Sequence, residues 1–189
     1  MATRLVALLR GINVGRAKRV AMADLRNLLT GLGHSDVATV LQSGNVLFTT
    51  TADLPTSGPA ADAATAAVGA QLESAVAAEL GVTCRVLVRH AGDLAGATSD
   101  APLADVATDP SRYLVGFLAG EPGRGALTAV EALDVAPDQV RLRRRELYLW
   151  CPGGVLASPL SSVDWEALLG VAVTMRNWNT LARLVALAG

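Results

Sequence analysis

The amino-acid sequence predicts an α+β protein made of two successive halves that share one order of elements. Three observations support this. Strand and helix patterns follow the order β-α-β-β-α-β, that order occurs twice, and a segment rich in glycine, proline and aspartate separates the two runs. With 51% apolar residues in a chain of 189, a sizeable core can be buried. The pattern is that of tandem duplicated ferredoxin-like halves with an extra C-terminal helix.

The first half is predicted to cover residues 1–95. RLVALL is a buried type of strand, and MADLRNLLTGLG carries its apolar residues on one helical face. DVATVLQ and NVLFTT are two strand patterns separated by SG, and Gly44-Asn45 suits a tight hairpin turn. The Ala-rich segment 61–81 predicts a helix closed by Gly81, and CRVLVR predicts the last strand of this half.

Residues 96–111 are predicted to be a connector, in a region with room for a short helix, and residues 112–189 the second half with the C-terminal helix. Strand patterns occur in RYLVGFLAG, QVRLR, ELYLWC and VAVTMR. Helical patterns occupy residues 125–133, VDWEALLG and NTLARLVALAG. Residue identity between the halves is weak, so the repeat is one of element order, and we expect the halves to form one compact unit.

Charge, cysteines and apolar runs limit the classes of function. The net charge of −1 provides no global attraction to nucleic acid or anionic membranes, so such binding would need a local patch. Cys84 and Cys151 have neither metal-site nor dithiol spacing and are predicted to be buried thiols. The first apolar run is too short for a signal peptide or a membrane span, so we expect a cytoplasmic protein without membrane association. The sequence gives no indication of a metal site or a cofactor.

The most unusual segment is LRGINVGRAKR, residues 9–19. An apolar strand runs into two glycines, an asparagine, three arginines and the only lysine of the chain. The G-x-x-x-G spacing matches neither the dinucleotide-binding nor the P-loop pattern. The loop can still present backbone N–H groups and cations to an oxyanion, ahead of a helix with no capping side chain at Ala21. A solvated basic loop is the alternative interpretation.

The predicted topology gives this loop a neighbour. The first and third strands of a ferredoxin-like sheet are antiparallel neighbours, so residues 10–15 are expected to meet Ser43, Gly44 and Asn45. A hairpin turn alone would explain the glycine and the asparagine, and ligand contacts from Ser43 and Asn45 are the alternative. Ser43 has no visible base as a nucleophile, because the two histidines lie at a helix end and a strand end.

A second polar cluster lies in TMRNWNTLARL. Asn177 is predicted to cap the last helix, and Trp178 to face the core. Arg176 and Asn179 lie beside N–H groups of a helix N-terminus, which is another arrangement that favours an anion. The arginines of RLRRREL, residues 141–147, are interpreted as a solvated hairpin, with a patch for nucleic acid or an acidic partner as the alternative.

Taken together, LLRGINVG, MADLRNLL, LQSGNVLF and RNWNTLARL resemble family 1697 of the bacterial domains of unknown function (DUF 1697), over nearly the full length. The resemblance implies a stand-alone cytoplasmic α+β protein with the duplicated arrangement and with no established activity or cofactor. This sequence departs from the family pattern at Arg16, where a second glycine is usual, and at Pro159, where a lysine is usual after Ser158. The motif residues of the family fall on Arg10, Gly11, Asn13, Gly15, Lys18, Ser43, Gly44, Asn45, Arg176, Asn177 and Asn179.

The sequence therefore predicts a binding protein for a phosphorylated or otherwise anionic ligand, either a nucleotide-like small molecule or a nucleic-acid backbone. A transferase or hydrolase that uses Lys18 or Ser43 is one alternative, so enzymatic activity stays open and no catalytic residue is assigned. A protein-interaction module without a small ligand is the other. The candidate ligand-binding residues are Arg10, Gly11, Asn13, Gly15, Lys18, Ser43, Asn45, Arg176, Asn177 and Asn179.

Overall fold

The computed structural model describes residues 2–13 and 18–189. These residues form eight β-strands and six α-helices, and the strands make two four-stranded antiparallel sheets. The predicted mixture of α-helices and antiparallel strands is thereby confirmed. The chain divides into two compact units, the first made of Met1–Ala95 with Arg183–Gly189 and the second of Gly96–Ala182.

The first elements along the chain are β1 (Thr3–Arg10), α1 (Met22–Gly31), β2 (Ser35–Val40), β3 (Asn45–Thr50), α2 (Gly58–Leu80) and β4 (Arg85–His90), followed by α3 (Ala91–Ser99). The sheet of the first unit has the strand order β2-β3-β1-β4. Leu8 of β1 lies opposite Asn45 of β3, and Arg10 of β1 lies opposite Arg85 of β4. The third strand therefore lies beside the first, as the topology predicted.

Helix α1 is amphipathic, as its sequence predicts. Met22, Leu25, Leu28 and Leu29 are buried on one face, which packs into the core of the first unit. Its N-cap residue, Ala21, makes no side-chain capping hydrogen bond. The first N–H groups of the helix therefore lack the usual side-chain acceptor.

Helix α2 is longer than the Ala-rich segment alone predicts. It begins at Gly58 because Pro59 fits the first turn of a helix, where no N–H donor is needed. It ends as predicted at Gly81, whose φ of 66° is the left-handed conformation that terminates helices. At Gly69 the helix backbone comes so close to β4 that an added Cβ would lie 2.6 Å from the carbonyl oxygen of Val86.

The elements that follow along the chain are β5 (Tyr113–Leu118), α4 (Ala126–Glu131), β6 (Gln139–Arg143), β7 (Glu146–Trp150), α5 (Trp165–Leu169), β8 (Val173–Asn177) and α6 (Trp178–Ala188). The sheet of the second unit has the strand order β6-β7-β5-β8. Two short 3-10 helices, Val155–Ala157 and Pro159–Ser162, follow β7. The second of them is capped by Ser158, whose side chain accepts a hydrogen bond from the Leu160 N–H.

Each unit has its own apolar cluster. Leu5, Phe48 and Leu72 are central in the first unit, and Leu118 and Leu147 in the second, all with 2% exposure or less. Both cysteines are buried free thiols, as predicted. Across residues 2–13 and 18–189, every helix is too short or too polar to cross a membrane.

Candidate functional site

The loop between β1 and α1 is held together by Asn13. Its backbone N–H donates to the Lys18 carbonyl over 3.0 Å, and its side-chain Oδ1 accepts from the Val20 N–H over 2.9 Å. Its Nδ2 donates to the carbonyl of Val20 and to that of Gln42. Asn13, which the sequence predicted as a ligand contact, thus makes one main-chain and three side-chain hydrogen bonds to backbone atoms. These bonds hold the described ends of the loop in place.

The hairpin turn between β2 and β3 packs directly against this loop. The Leu9 N–H donates to the Gly44 carbonyl over 2.8 Å, and a Cβ on Gly44 would lie 2.7 Å from Cδ1 of Ile12. Only glycine fits there, because φ of Gly44 is also left-handed at 75°. The predicted meeting of the two segments is confirmed for their described residues, whereas Gly15 lies outside the described part of the chain.

Ser43 and Asn45 form the base of the hairpin. Asn45 is fully buried and is the first residue of β3, as the strand pattern NVLFTT predicts. Its Nδ2 donates to the Val40 carbonyl over 2.8 Å and to Oγ of Ser43 over 2.9 Å. The amide thus connects β2, β3 and the turn between them, so Asn45 stabilises the hairpin that packs against the loop.

Left-handed backbone conformations concentrate in these two loops. Gly11, Asn13, Lys18, Leu41 and Gly44 all have φ between 53° and 75°. For the three that are not glycine this conformation costs roughly 1 kcal/mol each, and such costs collect at functional sites. The leucine is the least expected of them, since it has no side-chain hydrogen bond to offset the strain.

Among the described residues, three cations are grouped at this end of the first sheet. Arg10 ends β1 and is paired across the sheet with Arg85, the first residue of β4. Such paired residues project on the same face, so two like charges lie side by side. Lys18 is exposed, and its ammonium lies close enough to Cys84 to lower the pKa of that thiol, against the larger opposing effects of burial and of Glu73. We call Arg10, Lys18 and Arg85 the basic edge.

One carboxylate reaches the basic edge from α2. Oε1 of Glu73 accepts from the Val86 N–H over 2.8 Å, and its Oε2 lies 3.5 Å from the Arg85 guanidinium. The Arg85 side chain is nevertheless 76% exposed, so this ion pair is well screened. Arg85 is not among the site residues that the sequence predicted. The topology contained the signal, because the strand that pairs antiparallel with β1 must begin where β1 ends.

The polar cluster at the start of α6 lies in the second unit. Asn177 caps the helix as predicted, since its Oδ1 accepts from the N–H and the hydroxyl of Thr180 over 3.0 and 2.7 Å. Trp178 stacks on the buried ring of Tyr113 with 4.7 Å between ring centroids. Asn179 is exposed. The side-chain oxygen of Asn177 therefore accepts hydrogen bonds from Thr180 of the same helix.

Arg176 differs from the arginines of the basic edge. It lies in β8, is half-buried, and donates through NH1 to the Met175 carbonyl over 2.8 Å. Burial lowers the pKa of its guanidinium to about 10, which still leaves it charged at neutral pH. The hydrogen bond to the Met175 carbonyl favours a structural role for this guanidinium in the second unit.

The other candidate features are accounted for by local contacts. In the hairpin of β6 and β7, Arg143 lies 3.4 Å from Asp100 in an exposed ion pair, and Arg145 donates to the Ala119 carbonyl. Ser158 donates its hydroxyl to the Asp138 carboxylate. Within the described ranges, no group of three or more His, Cys, Asp or Glu side chains is placed to hold a metal ion.

Comparison with known proteins yields a family and a fold. The sequence profile of the family described as "Protein of unknown function (DUF1697)" matches residues 2–148. The solved structure of conserved bacterial protein SP0830 from Streptococcus pneumoniae is similar with a TM-score of 0.74 and 22% sequence identity, over 100% of each chain. At that identity the similarity shows the fold alone. None of the curated proteins matches the chain.

Proposed function

The chain belongs to the DUF1697 family of proteins of unknown function, and we propose that it binds a phosphorylated or otherwise anionic ligand at the basic edge. The observation that carries the proposal is the pairing of Arg10 with Arg85 across neighbouring strands. Like charges directly opposite one another destabilise a sheet. An anion between them would accept charge-assisted hydrogen bonds from both guanidinium groups.

The backbone around the basic edge supports an anion as well. Gly11 is exposed, has φ of 70°, and has no described atom within 4 Å of where a Cβ would lie, so its main chain is open to a ligand on the side of the described residues. The N-terminus of α1 has no side-chain cap and follows the exposed cations Lys18 and Arg19. Helix N–H groups and their dipole favour negative charge. The proposed contacts therefore come from main chain and side chain together.

The candidate residues of the first unit divide into those that would contact the ligand and those that would hold the loops in place. Arg10, Gly11 and Lys18 would contact the ligand, with Arg85 added and with Gly15 in the same loop. Asn13, Ser43 and Asn45 would hold the loop and the hairpin in place, because their amides and hydroxyl bond to each other and to backbone groups. The ligand is a nucleotide-like small molecule or a nucleic-acid backbone, since both present phosphate oxygens.

Arg176, Asn177 and Asn179 form a separate candidate cluster in the second unit. The N-cap bond of Asn177 and the carbonyl contact of Arg176 favour a structural role there. Asn45 donates an amide hydrogen to Oγ of Ser43, and an amide is not a general base, so this contact does not activate Ser43 as a nucleophile. Ligand binding is the function we put forward, with a transferase or hydrolase that uses Lys18 or Ser43 as the alternative.

The proposal extends to the architecture and location of the protein. Both units share one strand order: the second, third, first and fourth strands of each unit lie side by side in that order. This shared order supports two ferredoxin-like copies with boundaries near residues 95 and 112. The first unit fills its second helical position with the 23 residues of α2, whereas the second unit uses only α5 and two 3-10 helices. Two buried free thiols support a reducing compartment, the cytoplasm.

A thermal-shift and titration panel tests the function. Pyrophosphate, mononucleotides, dinucleotides and short RNA and DNA oligomers would be titrated into the wild type and into Arg10→Ala, Lys18→Ala and Arg85→Ala. Arg124→Ala is the matched control, because Arg124 is exposed, carries the same charge and lies in the second unit. A ligand at about a hundred times its Kd stabilises a protein by about 2.7 kcal/mol, which a melting curve resolves.

We expect at least one phosphorylated ligand to bind, with an affinity that falls in all three edge variants and stays unchanged in Arg124→Ala. Salt separates the ligand classes, since a nucleic-acid backbone releases more counterions than a single nucleotide and gives a steeper dependence. Equal affinity in the edge variants and the control would refute the basic edge. No binding across the panel would favour the protein-interaction module.

A further inference from the structure

A pocket of about 220 Å³ lies in the second unit along the segment that joins α4 to β6. Three carboxylates line it, those of Glu131, Asp134 and Asp138, against a single cation, Arg141. The Arg141 guanidinium donates through NH1 to the carbonyl of its neighbour Val140. The charge on the wall is therefore negative, opposite in sign to the basic edge of the first unit.

Asp138 is the most informative residue of this wall. It is only 7% exposed, and its Oδ2 accepts a hydrogen bond from the Ser158 hydroxyl. In the described part of the chain no group donates to its Oδ1, and no Lys, Arg or His forms an ion pair with it. A largely buried carboxylate is stabilised by a cation that pairs with it. Among the described residues, the group that hydrogen-bonds to this carboxylate is the neutral Ser158 hydroxyl.

We infer that this pocket binds a small organic cation, a primary amine or guanidinium on a short alkyl chain, with Asp138 as its counter-ion. Nitrogen-bound hydrogens of such a ligand would complete Oδ1, as charge-assisted hydrogen bonds. The apolar side chains of Val130 and Leu133 on the same wall suit the alkyl chain. The volume equals that of about seven water molecules, which is too small for a nucleotide.

A bare metal ion fits the pocket less well than an organic cation. Among the residues that the structure describes, no three acidic, histidine or cysteine side chains converge as metal ligands, so Glu131, Asp134 and Asp138 do not form a cage. Glu131 and Asp134 are exposed and would attract a cation from solvent. The buried Asp138 would fix the position of the cation, and the apolar side chains of the pocket would favour a cation that carries an alkyl chain.

Calorimetric titration of the full chain with butylamine, putrescine and agmatine tests the inference. Butanol and butyrate serve as the neutral and the anionic analogues of similar size. The variant is Asp138→Asn, which removes the charge and keeps an acceptor for Ser158. Asp105→Asn is the matched control, because Asp105 is an exposed carboxylate of the second unit outside the pocket.

We expect at least one of the cations to bind and the two analogues not to bind. Affinity should fall by at least about tenfold in Asp138→Asn and stay unchanged in Asp105→Asn. Should Asp138→Asn fail to fold, the double variant Glu131→Gln, Asp134→Asn decides, with an expected severalfold loss. Absence of binding by all three cations, or equal affinity in variant and control, would overturn the inference. Arg10→Ala should leave amine binding intact, so this result is independent of the basic edge.

Discussion

The side-chain amide of Asn13 donates to the main-chain carbonyl of Gln42 over 2.8 Å, joining two loops that lie 29 residues apart in the sequence. The same nitrogen donates to the Val20 carbonyl, and the left-handed backbone at Asn13, with φ of 56°, directs the side chain into the loop. Asparagine is one of the few residues that tolerate this conformation while offering two donors. This one side chain therefore ties the loop after β1 to the hairpin turn between β2 and β3.

Asn13→Asp is therefore expected to destabilise the protein by about 1–2 kcal/mol, even though aspartate also tolerates the left-handed conformation. The substitution replaces two N–H donors with an acceptor that faces two carbonyl oxygens. Urea denaturation with a constant m-value would measure the change. Asn27→Asp is the control, because Asn27 is exposed on α1, and it should stay within about 0.5 kcal/mol of wild type. Equal stability of the two variants would contradict the role given to Asn13.

Gly69→Ala reverses the usual effect of adding a methyl group to a helix. Alanine normally stabilises a helix interior relative to glycine by about 0.5–1 kcal/mol. Here its Cβ would lie 2.6 Å from the backbone oxygen of Val86, so helix and strand must move apart, and we expect a loss of about 1–3 kcal/mol.

Gly96→Ala provides the matched comparison for Gly69→Ala. Gly96 lies within α3, is exposed, and has no atom within 4 Å of the added Cβ. It should show the ordinary small gain in stability. Thermal and urea unfolding of both variants would check the pair, and a gain at Gly69 would show that α2 does not pack closely on β4.

Periodicity and turn residues predicted the elements well, because these signals are local. β3 and β6 occupy the predicted segments, and Asn177 caps α6 through a bond to a residue three positions ahead. The buried face of α1 follows from its leucines. Each of these features depends on neighbours within a few residues, which is the distance over which sequence patterns act.

The candidate site was less predictable, because its geometry comes from contacts between distant residues. Topology predicted that the two loops meet, but not that Asn13 bonds to Gln42 or that Arg85 faces Arg10. Leu41 has φ of 59°, although leucine carries no preference for that region. The tertiary arrangement imposes such a conformation, and single-residue propensities contain no signal for it.

The burial of His34 leads us to expect that the folding stability decreases in mild acid. Burial lowers the pKa of its imidazole, which packs on the Phe48 ring at 4.6 Å between centroids. The unfolded chain therefore binds a proton near pH 6.5, where the folded protein does not, so stability is full above that pH and declines as the pH falls through it.

Urea midpoints measured between about pH 7.5 and 5.5 should decline for the wild type and decline less for His34→Gln. The comparison uses slopes, so any loss of packing in the variant does not affect the conclusion. Parallel slopes for the two proteins would show that the imidazole titrates equally in both states and would contradict the burial argument.

The two tyrosines predict a sharp alkaline transition. Burial raises the pKa of Tyr113 to about 12 and raises that of Tyr148 further, although Tyr148 donates its hydroxyl to the Ala97 carbonyl over 3.0 Å. Both phenols ionise near pH 10 in the unfolded chain, so folding stability is full below that pH and is lost as the pH rises through 10 toward 12. These are the only tyrosines of the chain, so the tyrosinate absorbance should stay flat past pH 10 and rise together with unfolding measured by circular dichroism. Tyr113→Phe should move the unfolding transition to higher pH. A phenol that titrates near pH 10 while the circular dichroism is still that of the folded protein would show that its ring is not buried in solution.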